Sequence, residues 1–145
     1  MFGIWRLEFG IFKIIMADVA PKNKILIIDD DPFILDMYVL KLKDAGFEVE
    51  VARDGKEGLK KIKDFAPEIV LLDIVMPAMD GFEVLRTLKR EGGKPIFKIV
   101  LLTNLGQKDD VEKGMQLGAD DYVIKAHFTP SEVVEKIKGL LKKQA

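Results

Sequence analysis

Polar side chains that could bind a metal ion and a phosphoryl group follow several apolar segments of this chain. Asp29-Asp30, Asp73, Thr103 and Lys125 each come directly after apolar residues. Carboxylates in close proximity repel each other, so they stay together only if a cation offsets their charge or a pKa rises. Oxygen ligands without histidine or cysteine suit Mg²⁺, which shares its coordination shell with water and phosphate. Because a lysine and a hydroxyl group can also contact a phosphoryl group, these residue types predict phosphoryl transfer to a carboxylate.

A buried β-strand must position Asp73. Residues Ile69–Leu72 are apolar without alternation, and a proline closes the segment soon after, which is typical of a parallel strand covered on both faces. In open α/β sheets, ligands bind just beyond the carboxyl ends of the strands. If the apolar runs before Asp29, Thr103 and Lys125 are strands of the same sheet, their polar ends share one edge with Asp73.

Strand-like and helix-like patterns alternate five times along residues 24–143, which predicts an α/β fold with a parallel sheet covered on both faces. The predicted strands are Ile25–Ile28, Phe47–Ala52, Ile69–Leu72, Ile96–Leu102 and Tyr122–Lys125. N-cap residues followed by a proline or an acidic residue predict where helices begin. These N-caps are Asp31, Asp54, Asp80 and Thr129.

Apolar spacing also predicts the buried side of the first and the fourth helix. The first helix follows Asp31-Pro32, and the residues expected on its buried face are Phe33, Ile34, Met37, Leu40 and Leu42. The fourth helix is weaker, at Lys108–Gln116, and the residues expected to face the interior are Val111 and Met115.

Composition limits the classes of function. The chain has 145 residues, 48% of them hydrophobic, which is enough for one domain with a real core. Its net charge of -1 gives no general attraction to nucleic acid. The absence of cysteine excludes disulfides and thiolate metal sites and makes the cytoplasm the default location. His127 is the only histidine, so any Ser-His or Cys-His catalytic pair would depend on this one residue.

The N-terminal residues differ from the rest of the chain. Residues 1–16 form a hydrophobic extension interrupted by Arg6, Glu8 and Lys13, and residues 17–23 form a linker before the domain at 24–143. The extension is too short to span a bilayer comfortably. Three interpretations are open: an amphipathic segment that contacts a membrane or a partner, a hydrophobic arm that packs on the domain, or a non-native leader.

Residues 24–143 resemble the receiver domain of two-component response regulators. The resemblance covers the whole domain and is carried by motifs in matching order and spacing: Asp29-Asp30, the L-L-D-x-x-M-P segment around Asp73, Asp80-Gly81, Leu101-Leu102-Thr103 and Gly118–Lys125. It implies a flavodoxin-like (βα)5 fold, a doubly wound parallel five-stranded sheet with strand order 2-1-3-4-5. A free-standing, CheY-like receiver of this kind is similar to chemotaxis or phosphorelay regulators.

The resemblance also implies roles for individual residues. Asp73 would be the phosphoacceptor, and it would bind Mg²⁺ directly together with Asp30. Asp29 would bind the ion through water, and the backbone carbonyl of Val75 would complete the protein ligands.

Three further residues would respond to the phosphoryl group if the resemblance holds. Lys125 would pair with it, Thr103 would move toward it, and Tyr122 would turn inward into the space that Thr103 leaves. The family usually has proline after the lysine, where this chain has Ala126, and a smaller residue at the position of Asn104. A polar residue is also common at the position of Val75, so the rate of dephosphorylation is expected to differ.

The expected function is a phosphorylation-controlled signalling switch that promotes its own phosphorylation and dephosphorylation but is not an enzyme acting on other substrates. A histidine kinase or a histidine phosphotransfer protein would donate the phosphoryl group. Because the chain ends after the last helix, output is expected through contact with a downstream protein and without nucleic acid, or with participation of the N-terminal extension. The face made by the fourth helix, the fifth strand and the last helix is the expected contact surface, including for a homodimer.

Other functions predict different residues. A phosphorylation-independent receiver-like scaffold or adaptor would be favoured by loss of the acceptor or the lysine, and this chain keeps both Asp73 and Lys125. A phosphatase of the haloacid dehalogenase type also forms an aspartyl-phosphate, but it needs a second acid where this chain has Val75. A dinucleotide-binding enzyme would need G-x-G-x-x-G after the first strand, which is lacking.

Overall fold

The computed structural model describes residues 10–11, 22–92, 95–104 and 108–142. From residue 22 onward, strands and helices alternate as β1 Lys24–Ile28, α1 Pro32–Asp44, β2 Glu48–Ala52, α2 Gly55–Phe65, β3 Ile69–Asp73, α3 Gly81–Gly92, β4 Lys98–Thr103, α4 Lys108–Gln116, β5 Asp121–Ile124 and α5 Pro130–Lys142. None of the helices in the described ranges is long and apolar enough to cross a bilayer. Apart from Gly10 and Ile11, the predicted N-terminal extension lies outside these ranges, as does most of the linker.

The five strands form one parallel sheet in the order β2-β1-β3-β4-β5. This order confirms the flavodoxin-like fold that the sequence predicts. The register pairs Ile28 with Leu72, Asp73 with Leu102, and Thr103 with Ile124, so the carboxyl ends of neighbouring strands lie side by side. The polar residues that end these strands are therefore brought to one edge of the sheet.

Two apolar cores lie on opposite faces of the sheet, because successive strand residues point to opposite sides. Leu26 and Ile28 pack under α2 and α3, whereas Ile25 and Ile27 pack under α1 and α5. All four are fully buried. Burial on both faces explains why the central strands are apolar without alternation.

The buried face of α1 differs from the prediction. Phe33 and Leu40, which were expected to be buried, are 70% and 69% exposed. The helix instead buries Leu35, Tyr38 and Leu42 against α5 and the sheet. Because α1 carries apolar residues around most of its circumference, periodicity could not select the face that contacts the sheet.

The prediction for α4 is also wrong at one position, and β4 starts later than expected. Met115 is 38% exposed, and the residue that is fully buried is its neighbour Gly114. A Cβ atom at Gly114 would collide with the side chain of Leu101, so α4 contacts β4 through the glycine and Met115 is turned outward. Ile96, expected in the fourth strand, precedes it and is 101% exposed.

Candidate functional site

Three buried polar side chains meet at the carboxyl edge of the sheet. In the part of the chain that the structure describes, the buried polar or charged residues are Asp29, Asp73 and Thr103, with exposures of 0%, 5% and 1%. Each lies at the end of a central strand or directly after it. Such residues are seldom buried without partners, so this edge differs chemically from the rest of the interior.

The carboxylates form a cluster that fits a divalent cation. Asp29, Asp30 and Asp73 each offer an oxygen atom, and these atoms lie within 4.8 Å of one another. Asp30 is exposed, so the cluster opens to solvent through a pocket that Val75, Asn104 and other residues also line. An all-oxygen donor set with one side open to water fits Mg²⁺, which keeps several waters in its shell.

Lys125 is the cation that contacts the buried acids. Its Nζ atom lies 2.7 Å from Asp29 Oδ2 and 3.4 Å from Asp73 Oδ1. The Lys125 backbone N–H donates to the carbonyl oxygen of Thr103 at 2.8 Å, which fixes the chain just beyond β5. The lysine therefore lies against both buried acids, although it follows a different strand.

The acidic groups of the site outnumber its one lysine, and this affects the pKa values of both. Burial of Asp73, followed by the negative charge of Asp29, raises the pKa of the Asp73 carboxyl group to about 7, although Lys125 opposes this rise. Burial alone would lower the pKa of Lys125, but its hydrogen bond to Asp29 and the charges of both acids outweigh burial and raise it. The pocket thus has an excess of negative charge that one lysine does not neutralise, and a divalent cation would restore the balance.

Local hydrogen bonds orient the acid pair after β1. Asp29 Oδ1 accepts from the backbone N–H of Asp31 at 2.9 Å, and Asp31 Oδ1 accepts from the N–H of Phe33 at 2.9 Å as the N-cap of α1. The Asp29 N–H donates to the carbonyl oxygen of Ala52 at 3.0 Å, which ties this turn to β2. Because Asp29 is fixed inward by these bonds, the next residue, Asp30, points to solvent.

The loop after β3 brings α3 close to the phosphoacceptor candidate. The Gly81 N–H donates to the carbonyl oxygen of Ile74 at 2.9 Å. A Cβ atom at Gly81 would lie 2.5 Å from the carbonyl oxygen of Asp73, so only glycine allows this approach. Val75 lies in the same loop, and its side chain is 55% exposed at the rim of the pocket.

Thr103 and Tyr122 have different environments. Thr103 Oγ1 is buried and has no hydrogen-bond partner among the described residues. A buried hydroxyl without a partner costs about 1–3 kcal/mol, which a ligand oxygen could recover. Tyr122 is 42% exposed on β5, so the structure does not bring its side chain into the pocket. Its predicted inward movement stays a prediction.

Sequence reasoning missed Tyr38 as a residue close to the site. Tyr38 is 2% exposed in α1, and burial raises the pKa of its hydroxyl group, with a lowering contribution from Lys125 and a raising one from Asp29. The phenol therefore lies within electrostatic range of the site. No motif in the sequence marks Tyr38, whose position indicates only an ordinary helix residue.

Ala126, which stands where the family usually has proline, lines the pocket. No peptide bond in the described ranges is cis.

Known sequences match most of this chain. A family profile described as the response regulator receiver domain matches residues 25–138. The DNA-binding response regulator MtrA of Mycolicibacterium smegmatis is 38% identical over 122 residues, which cover 84% of this chain and 52% of that protein. The alkaline phosphatase synthesis transcriptional regulatory protein PhoP of Bacillus subtilis is 38% identical over 121 residues, or 83% of this chain and 49% of that protein. The chain thus spans about half the length of these curated relatives.

Solved structures resemble the whole domain. A CheY-like response regulator receiver domain protein from Methanospirillum hungatei superposes with a TM-score of 0.78 at 35% identity, covering 86% of this chain and 97% of that one. The chemotaxis protein CheY4 of Vibrio cholerae superposes with a TM-score of 0.75 at 29% identity, covering 82% and 98%.

Proposed function

The chain belongs to the response regulator receiver domain family of two-component systems, and from this premise we propose that it is a switch in which Asp73 accepts a phosphoryl group. The observation that carries the proposal is the pocket itself. Carboxylate oxygens of Asp29, Asp30 and Asp73 lie within 4.8 Å of one another, and Lys125 Nζ lies 3.4 Å from Asp73. We assign residues 24–143 to the receiver domain.

Transfer would form a bond between an Asp73 carboxylate oxygen and phosphorus while the bond from phosphorus to the donor's imidazole nitrogen breaks. The transition state of such reactions is loose, so catalysis depends on positioning and charge neutralisation rather than on a general base. Lys125 suits this role because its ammonium group already lies between Asp29 and Asp73. Because the pKa of Asp73 is raised to about 7, both the protonated acid and the carboxylate are populated in the free pocket at neutral pH, whereas attack requires the carboxylate.

Mg²⁺ is the proposed cofactor, held by Asp30 and Asp73 directly, by Asp29 through water, and by the backbone carbonyl of Val75. When bound, it would neutralise negative charge on the acids and on the incoming phosphoryl oxygens. Its positive charge would also lower the pKa of Asp73, so the acceptor would be ionised at neutral pH.

A phosphoryl group on Asp73 would offer acceptor oxygens to two donors. The Thr103 hydroxyl group, which has no partner among the described residues, would donate to one oxygen, and Lys125 would pair with another. Movement of Thr103 would shift the conformational population of the α4-β5-α5 face, where Tyr122 is exposed. Phosphorylation can shift this equilibrium only because the two conformations bind the phosphoryl group with different affinity.

The proposed donor is a histidine kinase or a histidine phosphotransfer protein in the cytoplasm. The proposed output is contact of the α4-β5-α5 face with a downstream protein or with a second copy of the chain. The relatives MtrA and PhoP are described as DNA-binding or transcriptional regulators, and this chain matches about half of each. The net charge of -1 gives this chain no general attraction to nucleic acid, so we do not assign DNA contact to it.

Incubation with acetyl phosphate and Mg²⁺, followed by intact-mass measurement, tests the proposal. We expect one added phosphoryl group, which is absent in Asp73→Asn and in the presence of EDTA. Asp64→Asn is the matched control, because Asp64 is an exposed acid on α2 outside the pocket. An adduct that persists in Asp73→Asn would contradict the assignment, and no adduct in any variant would favour a phosphorylation-independent scaffold.

A further inference from the structure

Ala78, in the loop between β3 and α3, has a backbone conformation that alanine rarely adopts. Its φ angle is 65°, in the left-handed region that favours glycine. The Met79 N–H donates to the carbonyl oxygen of Pro77 at 2.8 Å, so these three residues form a γ-turn with Ala78 at its centre. A γ-turn with a positive φ angle is the rare and strained form of this turn. Such a conformation persists only where the surrounding structure imposes it.

The alanine side chain does not explain this conformation, because Ala78 is exposed. The residues on either side of the turn are held against the core instead. Met76 is 7% exposed, and Met79 packs against the same apolar cluster, which lies between the sheet and helices α2 and α3. Only Pro77 and Ala78 separate the two methionines, and the ring of Pro77 restricts its own φ angle to about -65°. The change of chain direction therefore takes place at Ala78.

Two glycines fix the base and one side of this loop. The Gly81 N–H, which donates to the carbonyl oxygen of Ile74 at 2.9 Å, closes the loop at its base. A Cβ atom at Gly55, the first residue of α2, would lie 2.7 Å from Met79 Cγ and 2.8 Å from the Met79 carbonyl oxygen. Helix α2 therefore begins in close contact with Met79, and the loop could relax toward α2 only if the helix moved.

The constrained loop includes Val75, whose backbone contacts Asp73. Burial and the charge of Asp29 raise the pKa of Asp73, and the backbone N–H of Val75 opposes this rise through a hydrogen bond to the Asp73 carboxylate. The side chain of Val75 is exposed, whereas those of its neighbours Ile74 and Met76 are buried. The position of the Val75 backbone is therefore set by these two anchors and by the turn that follows them, and not by its own side chain.

We propose that Ala78 is a positioning residue for the metal site, because its strained turn holds the Val75 backbone beside Asp73. The inference rests on the proposed Mg²⁺ site, in which the Val75 carbonyl oxygen is a ligand, but Ala78 itself does not line the pocket. A ligand that is in place before binding loses little conformational freedom when the ion arrives, which strengthens binding. The strain at Ala78 thus lowers the stability of the free chain and raises its affinity for Mg²⁺.

Ala78→Gly tests this role, because glycine adopts a positive φ angle without strain. Ala66→Gly is the matched control. Ala66 is the other non-glycine residue with a positive φ angle in the described ranges, at 52°, and it is the C-cap of α2, outside the pocket. The melting temperature of each full chain is measured in EDTA, and the dissociation constant for Mg²⁺ is measured by isothermal titration calorimetry with MgCl₂.

We expect both substitutions to raise the melting temperature in EDTA by a few degrees, because each removes strain from the folded chain. Ala78→Gly should in addition weaken Mg²⁺ binding several-fold, whereas Ala66→Gly should leave the dissociation constant unchanged. Transfer from acetyl phosphate to Ala78→Gly should slow only at MgCl₂ concentrations below saturation. A residue with a purely structural role would not raise stability while lowering metal affinity.

Equal Mg²⁺ affinity of Ala78→Gly and the unsubstituted chain would overturn the inference and leave the metal site intact. A lower melting temperature of Ala78→Gly in EDTA would also overturn it, because the turn would then not be strained. If the unsubstituted chain binds Mg²⁺ no better than Asp30→Asn does, the proposed metal site fails, and the role of Ala78 fails with it.

Discussion

At the Asp73 carboxyl group, burial and the nearby negative charge of Asp29 both oppose ionisation. Its carboxyl group is 5% exposed, and its pKa rises from 3.8 to about 7 through burial and the charge of Asp29. In the unfolded chain this group ionises near 3.8, whereas in the folded chain it stays protonated until about pH 7. Its contribution to folding stability therefore falls as pH rises between these values, and the full penalty applies above the folded pKa.

Asp73→Asn should remove this penalty. Without metal, we expect the variant to be more stable than the unsubstituted chain by up to about 4 kcal/mol at pH 8 and by less than half of that at pH 5, where only part of the penalty applies. Urea unfolding in EDTA at the two pH values measures this difference. Asp64→Asn, which changes an exposed acid, should alter stability little at either pH. A stabilisation that is equal at both pH values would contradict the assigned electrostatic cause.

Mg²⁺ should stabilise the folded chain at neutral pH, because it would offset the charge of Asp29, Asp30 and Asp73. At a concentration of about 100 times the dissociation constant, the expected gain is about 2.7 kcal/mol. Thermal unfolding with MgCl₂ or with NaCl at equal ionic strength separates specific binding from screening. Asp30→Asn should lose most of the gain while keeping the buried residues intact. An equal gain in NaCl would contradict a metal site.

Helix α1 joins the acidic pocket to an exposed apolar stripe. Its N-cap Asp31 and Pro32 line the pocket, and Phe33 and Leu40 are exposed on its outer side. If Asp73 accepts its phosphoryl group from a phosphohistidine, as proposed above, the donor protein would approach over this helix end. An exposed apolar surface of this kind beside a reactive pocket indicates a contact site for a partner.

Leu40→Glu should therefore slow phosphoryl transfer from a histidine kinase or phosphotransfer protein but leave acetyl phosphate unaffected. The small donor needs only the pocket, whereas the protein donor would bury the side chain at position 40. We expect at least a tenfold lower transfer rate, equivalent to about 1.4 kcal/mol of lost contact energy. Lys43→Gln at the exposed end of the same helix lowers the net charge by one unit, as Leu40→Glu does, and so controls for the change in charge. An equal loss with both donors would place the defect in the pocket instead.

At the scale of the whole molecule, the two edges of the sheet differ in chemistry. The acidic pocket lies at the carboxyl edge, whereas Leu88 of α3 and Met115 of α4 line an apolar groove at the amino edge. Because Gly114 is the only fully buried residue of α4, a shift of this helix would disrupt few core contacts. Elements with little buried surface are the ones that change conformation at low cost.

Phosphorylation should therefore change the amide chemical shifts of α4, β5 and α5 more than those of α2. NMR spectra recorded with Mg²⁺, before and after addition of acetyl phosphate, measure this pattern. Thr103→Ala should still accept the phosphoryl group, as judged by intact mass, but should show smaller shifts, because it lacks the hydroxyl group that is proposed to link the pocket to this face. Shifts confined to the pocket would contradict a switch.

Local patterns in the sequence were sufficient to predict the helices and strands and the edge of the sheet at which the polar residues meet. An apolar run such as Ile69–Leu72 requires burial on both faces, and parallel strands share their carboxyl edge whatever the helices do. The N-caps Asp31, Asp54 and Asp80 likewise act within one turn of chain, and each accepts the expected backbone hydrogen bond.

Only the tertiary structure decided the features that depend on contacts between distant segments. The helix faces are one case: α1 turns Phe33 outward and buries Tyr38, because the sheet and α5 select one of several apolar sides. The raised pKa of Asp73 is another, because it depends on burial and on the positions of Asp29 and Lys125, which directly follow other strands. Sequence spacing determines which groups reach an edge, whereas the distances between them, and hence the energies, are determined by packing.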